Sequence, residues 1–406
     1  MKHSTIDWAP FIPNDWEEKR IKDISHLQSG NGITSDDIDH IGLYPVYGGN
    51  GLRGYTDNYT NDGDYVLIGR QGALCGNINY AKDKFYASEH AVVVYPYCKD
   101  ENTIWLGETL RAANLNRLSA SAAQPGLAVS ALNFVKIPYP PESQRERIGE
   151  YLDEKCGEID GQVALLEKKR DAYARLKVSV INKAVTHGLN PDVSMRPSGI
   201  DWIGDIPAHW NVKRIKDLGS LGSGTTPKSG SDAYYDDGIH PWLNTGCVQN
   251  CIINQPAKYV TELAMKECPG LRYYPKDTIL VAMYGGGTIG NVGLMGFDAT
   301  INQACCAIEL STPHLPKYMF YAIMAQNAKL ISYGFGGTQI NLSQGQIANF
   351  LLAVPPLAEQ RAIADYLDKK CGEIDAAVEN LDKQINAYKR LKKSLINEVV
   401  TGKRAV

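Results

Sequence analysis

Apolar residues recur every three or four positions along two long stretches of this 406-residue chain. In the first stretch the stripe consists of Ile148, Leu152, Cys156, Ile159, Val163, Leu166, Tyr173, Leu176 and Val180. In the second it consists of Ile363, Leu367, Cys371, Ile374, Val378, Leu381, Ile385, Tyr388, Leu391, Leu395 and Val399. A narrow stripe with this spacing over several heptads predicts two long coiled-coil helices. Proline pairs at 140–141 and 355–356 stand just before the helices, where proline is tolerated.

Charge is distributed unevenly along both predicted helices. Acidic residues dominate residues 146–160 and 365–379, whereas basic residues dominate residues 168–183 and 389–393. Parallel pairing would bring like charges together, and antiparallel pairing sets each acidic half beside a basic half. We therefore predict that the two helices run antiparallel.

The chain also contains two internal repeats. Residues 151–160 return 215 positions later as residues 366–375, with nine of the ten positions identical. Residues 7–23 return 194 positions later as residues 201–217, and both copies carry Asp-Trp, Ile-Pro and Lys-Arg-Ile-Lys-Asp. The long stretches between these repeats resemble each other little. A common scaffold with two different inserts predicts a pseudo-twofold molecule that recognises two different things.

The inserts have the pattern of mixed α/β domains. Short β-branched and apolar runs predict strands at residues 65–68, 91–95, 278–282 and 304–310. Residues 106–118 and 317–331 are predicted to be helical, and glycine-rich turns separate these elements. Residues 188–200 have the composition of an extended linker.

Composition narrows the class of protein. The longest apolar runs are too short for a transmembrane helix, and the first residues lack the apolar core of a signal peptide. We therefore expect no membrane association. Nine cysteines without a disulfide-like pattern favour a reducing, cytoplasmic compartment. The formal net charge of −3 argues against a strongly basic nucleic-acid binder, but 23 tyrosines against 7 phenylalanines favour surfaces that bury a ring and keep a hydroxyl wet.

Glycine-rich loops in both inserts carry aromatic, arginine and amide side chains. Arginine can read guanine, and asparagine or glutamine can read adenine, while glycine lets backbone N–H groups approach phosphate. These loops predict DNA contacts by Tyr47, Asn50, Arg53, Arg70, Gln71 and Asn77 in the first insert. In the second insert they predict contacts by Lys228, Asn244, Thr245, Tyr284, Thr288, Asn302, Gln303 and Gln339.

Common catalytic motifs are missing from the sequence. There is no Walker A motif, nucleophile elbow or His-Glu-x-x-His motif, and the cysteine spacing fits no common zinc pattern. Residues 285–290 match Gly-x-Gly-x-x-Gly, but no amphipathic helix follows them, as a dinucleotide-binding unit requires. We therefore expect no catalytic residue, no cofactor and no metal ligand, and single histidines such as His90 beside Glu89 remain weak candidates.

Both helix starts share a motif with a known family. Pro-Pro, Gln-Arg, Ile and Tyr-Leu-Asp follow one another in residues 140–153 and again in residues 355–368. Together with the duplication, this arrangement resembles the specificity subunit of Type I restriction–modification systems along the whole chain. One departure is that Gln144-Arg145 lies one residue nearer its prolines than Gln360-Arg361 does, which leaves the register of the first helix start open.

The resemblance implies a function and a set of partners. It implies an α+β protein in which two target-recognition domains are separated by two long antiparallel coiled-coil helices. Each domain would read one half of a bipartite, asymmetric site in double-stranded DNA. The helices would dock two methyltransferase subunits, and two motor–nuclease restriction subunits would join for cleavage. The specificity subunit itself would not be catalytic.

The expected organisation follows from the repeats and the resemblance together. We expect recognition domains at residues 1–137 and 201–353, helical spacers at residues 138–187 and 354–406, and a linker at residues 188–200. Two alternatives remain open on sequence grounds. The chain could be an enzyme whose active site lies in the glycine-rich loops, or a coiled-coil scaffold that tethers two protein-binding modules.

Overall fold

The structure is a computed structural model that describes residues 1–72, 74–98, 100–119, 126–336 and 340–406. The first half of the chain forms short strands and helices and ends in one long helix. Its strands are β1 (Lys2–Ile6), β2 (Ala9–Ile12), β3 (Glu17–Arg20), β4 (Ser25–Ser29), β5 (Tyr44–Gly48), β6 (Gly51–Thr56), β7 (Asn61–Asp62), β8 (Tyr65–Gly69), β9 (Ile78–Ala81), β10 (Lys84–Ala87), β11 (Ala91–Pro96) and β12 (Lys136–Tyr139). Its helices are α1 (Ile21–Ile24), α2 (Thr103–Ala112), α3 (Val129–Leu132) and α4 (Glu142–His187).

The second half repeats this plan. Its strands are β13 (Met195–Pro197), β14 (Asp205–Pro207), β15 (Asn211–Arg214), β16 (Gly219–Ser223), β17 (His240–Leu243), β18 (Cys251–Ile253), β19 (Lys258–Val260), β20 (Ile279–Ala282), β21 (Val292–Met295), β22 (Thr300–Ile301), β23 (Cys305–Leu310) and β24 (Leu351–Val354). Its helices are α5 (Asp232–Tyr235), α6 (Glu262–Glu267), α7 (Pro316–Ala325), α8 (Asn327–Ser332), α9 (Gln344–Asn349) and α10 (Leu357–Val400). The predicted mixed α+β class and the two long helices are confirmed.

The chain divides into two units that do not coincide with its two halves. The first unit contains residues 1–169 and 381–406, and the second contains residues 170–380. Each unit therefore contains the start of one long helix and the end of the other. Within the described part of the chain, no helix is both long and apolar enough to cross a membrane.

The core of the first unit contains the start of α4 and the end of α10. Leu152 and Cys156, near the start of α4, share one buried cluster with Leu395 and Val399, near the end of α10. Trp105 of α2 and the apolar faces of β8 and β11 complete the cluster. The end of α10 is therefore part of the core on which the first recognition domain rests.

The core of the second unit is built in the same way. Leu367 and Cys371, near the start of α10, pack in one cluster with Ile181 and Val185, near the end of α4. Tyr318 of α7 lies at the centre of this cluster, fully buried, and its hydroxyl donates to the carbonyl of Ala353 at 2.9 Å. Both long helices are thus required by both cores.

Ion pairs between the long helices fix their direction within each unit. In the first unit Lys392 pairs with Asp160 at 2.6 Å and Lys389 pairs with Glu167 at 3.1 Å. The residue number rises along α4 as it falls along α10, so the segments are antiparallel. In the second unit Lys177 of α4 pairs with Asp375 of α10 at 2.7 Å. These acid–base contacts are the kind that the charge pattern predicts.

The two helix starts have the same register. A tryptophan indole from the opening repeat binds each start: Trp16 donates to Gln144 at 2.7 Å, and Trp210 donates to Glu359 at 2.9 Å. The next residue of each helix donates to the carbonyl of the first proline in its pair: Arg145 donates to Pro140, and Gln360 donates to Pro355. Arg145 therefore corresponds to Gln360, and the departure noted in the sequence is a substitution, with no shift of the helix.

Each recognition region contains a central sheet in which four corresponding strands are antiparallel and follow the same order, and in the second unit β18 adds a fifth strand that is parallel to β21. The order is β4-β11-β8-β9 in the first unit and β16-β23-β20-β21-β18 in the second. A second sheet contains a parallel pair, β5 with β10 in the first unit and β17 with β22 in the second. The predicted strands lie within a residue or two of β8, β11, β20 and β23.

The predicted short helices are less regular than expected. The segment 106–118 becomes α2 followed by a 3₁₀ turn at Leu115–Leu118, because Asn114 between them adopts a left-handed conformation with φ of 50°. The segment 317–331 is divided into α7 and α8 at Gln326. Local backbone geometry, which apolar spacing does not encode, causes both breaks.

The segment predicted to be a linker includes an ordered strand. β13 pairs with β14 as β1 pairs with β2, and the register Arg196 with Ile206 repeats the register Lys2 with Ile12. The second copy of the opening repeat therefore begins at Met195, inside the segment 188–200. Sequence reasoning missed this start because the repeated strands share few identical residues.

The interhelix ion pairs lead to a test of their contribution. We expect Lys392→Glu to lower the free energy of unfolding and Asp160→Lys, added to it, to restore most of the loss. The coupling should be about 0.2–1 kcal/mol, since exposed ion pairs contribute little, and it should shrink in high salt. Urea unfolding of both single variants and the double variant measures it. Lys393→Glu, a reversal at the neighbouring exposed position, is the matched control, and zero coupling would contradict the assigned pairing.

Candidate nucleic-acid interface

Three turns of the first unit meet at one end of its central sheet. They follow β5 (residues 48–50), β8 (residues 70–72) and β10 (residues 88–90). The backbone N–H of Arg70 donates to the carbonyl of His90 at 2.8 Å, and that of Ser88 donates to the carbonyl of Tyr47 at 2.9 Å. A side chain at Gly49 would crowd the neighbouring turns, because a β-carbon there would lie 3.1 Å from the carbonyl oxygen of Gln71 and 3.3 Å from that of His90. Close backbone contacts therefore hold the three turns together.

The six predicted contact residues of the first unit lie on or next to these turns. Asn77 donates to the side chain of Asn50 at 3.4 Å, and both residues are exposed. Arg53 is exposed and its aliphatic stem lies against Gly48. Arg70 is half-buried and donates to the hydroxyl of Ser29 at 3.3 Å. The remaining two are Gln71, which is exposed, and Tyr47, whose ring packs edge-on against Phe85.

Three polar atoms without partners lie on or near these turns. The Nε2 atom of His90 lies 3.0 Å from one carboxylate oxygen of Glu89. The other carboxylate oxygen of Glu89, Nδ1 of His90 and the amide nitrogen of Asn79 are buried and have no hydrogen-bond partner among the residues that the structure describes. Buried polar groups without partners are unfavourable, so a ligand that supplies the missing partners would stabilise these groups.

The second unit has a corresponding group of turns. Tyr284 donates its hydroxyl to the backbone carbonyl of Gln303 at 2.8 Å, and Thr226 donates to the side-chain oxygen of Gln303 at 2.6 Å. Gly285, with φ of 116°, lies between Thr245 and Thr288, and a β-carbon there would come within 2.5 Å of the Thr288 hydroxyl oxygen. Tyr284, Thr245, Thr288 and Gln303 are therefore brought together.

The other predicted residues of the second unit have different surroundings. Asn244 caps its own turn, since its side-chain oxygen accepts from the N–H of Gly246 at 2.9 Å. Lys228 is exposed and lies two residues beyond Thr226. Asn302 is only 9% exposed, and its side-chain oxygen accepts from the N–H of Ala304 at 3.1 Å. Asn302 thus stabilises the turn, and its side chain is not presented at the surface. Gln339 lies outside the described residues.

Seven backbone hydrogen bonds that hold the first group of turns have counterparts in the second group. Backbone hydrogen bonds of the first unit recur in the second with different residues. In the first unit these bonds, with the donor residue written first, are Asn31–Ala87, Ser88–Tyr47, Ala91–Ser88, Arg70–His90, Leu127–Arg70, Gly69–Asn77 and Gly76–Gly69. In the same order, their counterparts in the second unit are Thr225–Ile301, Asn302–Leu243, Cys305–Asn302, Met283–Ala304, Leu342–Met283, Ala282–Asn291 and Gly290–Ala282. We call residues 88–90 and 302–304 the central turn of each unit.

This equivalence identifies residues that the sequence did not. Glu89 occupies in the first central turn the position that Gln303 occupies in the second. Ser88 corresponds to Asn302, and its hydroxyl accepts from the N–H of His90 at 3.4 Å as Asn302 accepts from Ala304. The loop sequences differ so much that only the hydrogen-bond pattern reveals these pairs.

The different roles of Asn302 and Gln303 can be tested by measuring the free energy of unfolding of variants. We expect Asn302→Ala to lower the free energy of unfolding by about 1–3 kcal/mol, because the buried N–H of Ala304 loses its acceptor. Gln303→Ala, at the adjacent exposed position, is the matched control and should change it by less than about 0.5 kcal/mol. Urea unfolding followed by circular dichroism measures both. Equal losses would contradict the structural role of Asn302.

The sequence and fold are similar to those of known proteins. The model of the family described as Type I restriction modification DNA specificity domain matches residues 13–168 and 207–387. The chain is 36% identical over 169 residues to the EcoprrI specificity subunit of Escherichia coli, a match that covers 41% of this chain and 42% of that relative's length. It is 22% identical over 426 residues to the putative MjaX specificity subunit of Methanocaldococcus jannaschii, covering 97% of this chain and 94% of the relative.

A solved structure has the same fold. It comes from work on complex assembly and conformational transition of the type I R-M system, with a TM-score of 0.71 at 15% identity, covering 97% of this chain and 99% of that one. Since the family model covers both halves of the chain, the protein belongs to the family of Type I restriction–modification DNA specificity subunits.

Proposed function

We propose that this chain is the sequence-specific DNA-binding subunit of a Type I restriction–modification complex, in which each recognition domain reads one half of a bipartite, asymmetric site. The observation that carries the proposal is the equivalence of the two groups of turns. The same backbone bonds hold both, whereas the side chains at matching positions differ: Gln71 corresponds to Tyr284, and Gly49 to Thr245. A constant backbone with different polar side chains is suited to reading two different base sequences.

The contact residues divide into two classes in this proposal. Arg53, Arg70, Gln71, Asn77 and Gln303 carry the donors and acceptors that suit base edges, and the glycines and Lys228 suit phosphate. The chain itself carries out no catalysis in the complex. Sequence recognition then belongs to this chain, and methyl transfer belongs to the methyltransferase subunits.

In this proposal the partner subunits dock on the long helices. Leu176 and Leu391 are 215 positions apart, and each is about half exposed, at 47% and 52%. One lies in each unit, on equivalent faces of the two helices. Exposed leucines on an otherwise charged helix favour a protein contact, and two equivalent faces favour two methyltransferase subunits per chain. Two restriction subunits complete the cleaving complex.

DNA affinity in this proposal depends on those partners. A formal net charge of −3 leaves this chain little excess positive charge to release counterions, and that release normally supplies much of DNA affinity. The methyltransferase subunits therefore supply most of the phosphate contacts, and this chain positions the base readers.

Exchange of one recognition region tests the bipartite site. We expect replacement of residues 25–133 by the corresponding segment of another family member to change one half of the methylated motif and leave the other half intact. Sequencing that detects methylated bases, on DNA modified by the complete complex, is the measurement. The reciprocal exchange of residues 219–349 should change the other half only. A change of both halves by either exchange would refute modular reading.

Charged substitutions on the helices test the stoichiometry. We expect Leu176→Asp or Leu391→Asp to reduce the methyltransferase content from two copies to one, and both together to abolish docking and specific DNA binding at physiological salt. Native mass spectrometry counts the copies, and gel shifts at two salt concentrations follow the affinity. Leu263→Asp, an equally exposed leucine on α6, is the control and should retain two copies. Retention of two copies by the double variant would exclude this docking face.

A further inference from the structure

We propose that Glu89, held in place by His90, is a base-reading residue of the first recognition domain and accepts a hydrogen bond from the N4 amino group of a cytosine. This inference rests on the proposed function and names one contact within it. It assigns a role to a residue that the glycine-rich loops did not point to.

Position is the first argument. Glu89 is the middle residue of the first central turn, and Gln303 is the middle residue of the second. In both turns the N–H of the residue that opens the next strand closes the turn, from Ala91 to Ser88 at 2.9 Å and from Cys305 to Asn302 at 3.3 Å. The two side chains therefore leave equivalent backbone positions, and Gln303 is exposed among polar side chains.

Orientation is the second argument. The Gln303 side chain is held by Thr226, which donates to its oxygen and leaves its amide N–H groups available. The position of Thr226 in the first unit is Gly32, which has no side chain to offer. His90 takes over this task, since its Nε2 lies 3.0 Å from one oxygen of Glu89. Ala304, the equivalent of His90, could not do so.

The unpaired atoms of this pair are the third argument. Glu89 and His90 each keep 39% of their side-chain surface exposed, yet one oxygen of Glu89 and Nδ1 of His90 have no partner among the described residues. A carboxylate oxygen that is buried without a donor is unfavourable. Because that oxygen is closed to solvent in the free chain, a donor reaches it only after the Glu89 side chain turns, and such a donor then removes this cost.

Base chemistry selects cytosine. A carboxylate can only accept hydrogen bonds, so it needs an exocyclic amino group in the major groove. Adenine places its N7 acceptor beside its amino group and would repel the carboxylate, whereas cytosine presents the N4 amino group alone. Glutamine carries both a donor and an acceptor and suits adenine instead. Glu89 and Gln303 thus read different bases from the same position.

The direct test is Glu89→Gln in the complete methyltransferase complex. After the wild-type motif has been mapped, we expect one position of one half-site to change its preference from cytosine to adenine by about 5- to 150-fold in methylation rate. The other half-site should be unchanged. Glu17→Gln is the control, because it removes the same charge from the exposed strand β3 and should leave the motif as it is.

Several results would overturn the inference. One is an unaltered motif with Glu89→Gln, and another is a first half-site that specifies no cytosine on either strand. If Glu89→Gln modifies no DNA at all, the wild-type complex is tested on a site whose cytosine is replaced by 2-pyrimidinone, which lacks the N4 amino group. A loss of about 5- to 150-fold in affinity supports the contact, and unchanged affinity refutes it. A wild-type motif that is not bipartite would instead refute the proposed function.

Discussion

The contact on which the rest of the structure depends is the packing, within each unit, of the start of one long helix against the end of the other. In the first unit Leu152 and Leu395 belong to one core, and in the second unit Leu367 and Ile181 do. Neither core can be completed by a continuous segment of chain. Bringing together helix segments so far apart in the chain closes a long loop, which costs conformational entropy. This cost rises only logarithmically with loop length, so burial of the apolar residues that form the two cores can offset it.

The starts of the long helices are also anchored to neighbouring segments of their own unit. Trp16 and Trp210 bind the first turns of α4 and α10 through their indole N–H groups. In the first unit Arg145, buried beside Glu101, also stacks on Tyr139 with its guanidinium 4.2 Å from the ring centre. Burial and the Glu101 carboxylate raise the pKa of Tyr139 to about 12, and its hydroxyl donates to Glu101 at 3.2 Å. In the second unit the side-chain amide of Gln360 takes the place of Arg145, and its oxygen accepts from the backbone N–H of Leu315 at 2.9 Å.

Sequence reasoning succeeded where periodicity dominates. Forty or more residues of apolar spacing specify each long helix, and α4 and α10 begin just after the proline pairs, as predicted. It was less successful with tyrosine, since Tyr274 and Tyr318 are fully buried and satisfy their hydroxyls with backbone carbonyls. Composition cannot distinguish such a core tyrosine from one at a surface.

Site prediction was limited by a different factor. Loop chemistry selected turns that the structure brings together, but it could not separate Asn302, whose side-chain oxygen accepts a hydrogen bond within its own turn, from the exposed Gln303 beside it. Nor could it find Glu89, because the relation between Glu89 and Gln303 is carried by backbone hydrogen bonds that any residue can make. Side-chain identity is therefore nearly free to vary at these positions, and that freedom hides the positions from sequence inspection.

The same freedom explains how one fold can read unrelated sequences. Because backbone bonds and the capping side chains of Ser88 and Asn302 fix the central turns, the middle residue contributes little to their stability. In the proposed reading, replacing that residue would change which base edge is favoured and leave the turn in place. A turn that is held by its neighbours presents its side chain in a preorganised position, so base discrimination does not have to overcome the entropy of ordering a loop. Separating the atoms that hold the turn from the atoms that read the base allows specificity to change while the fold persists.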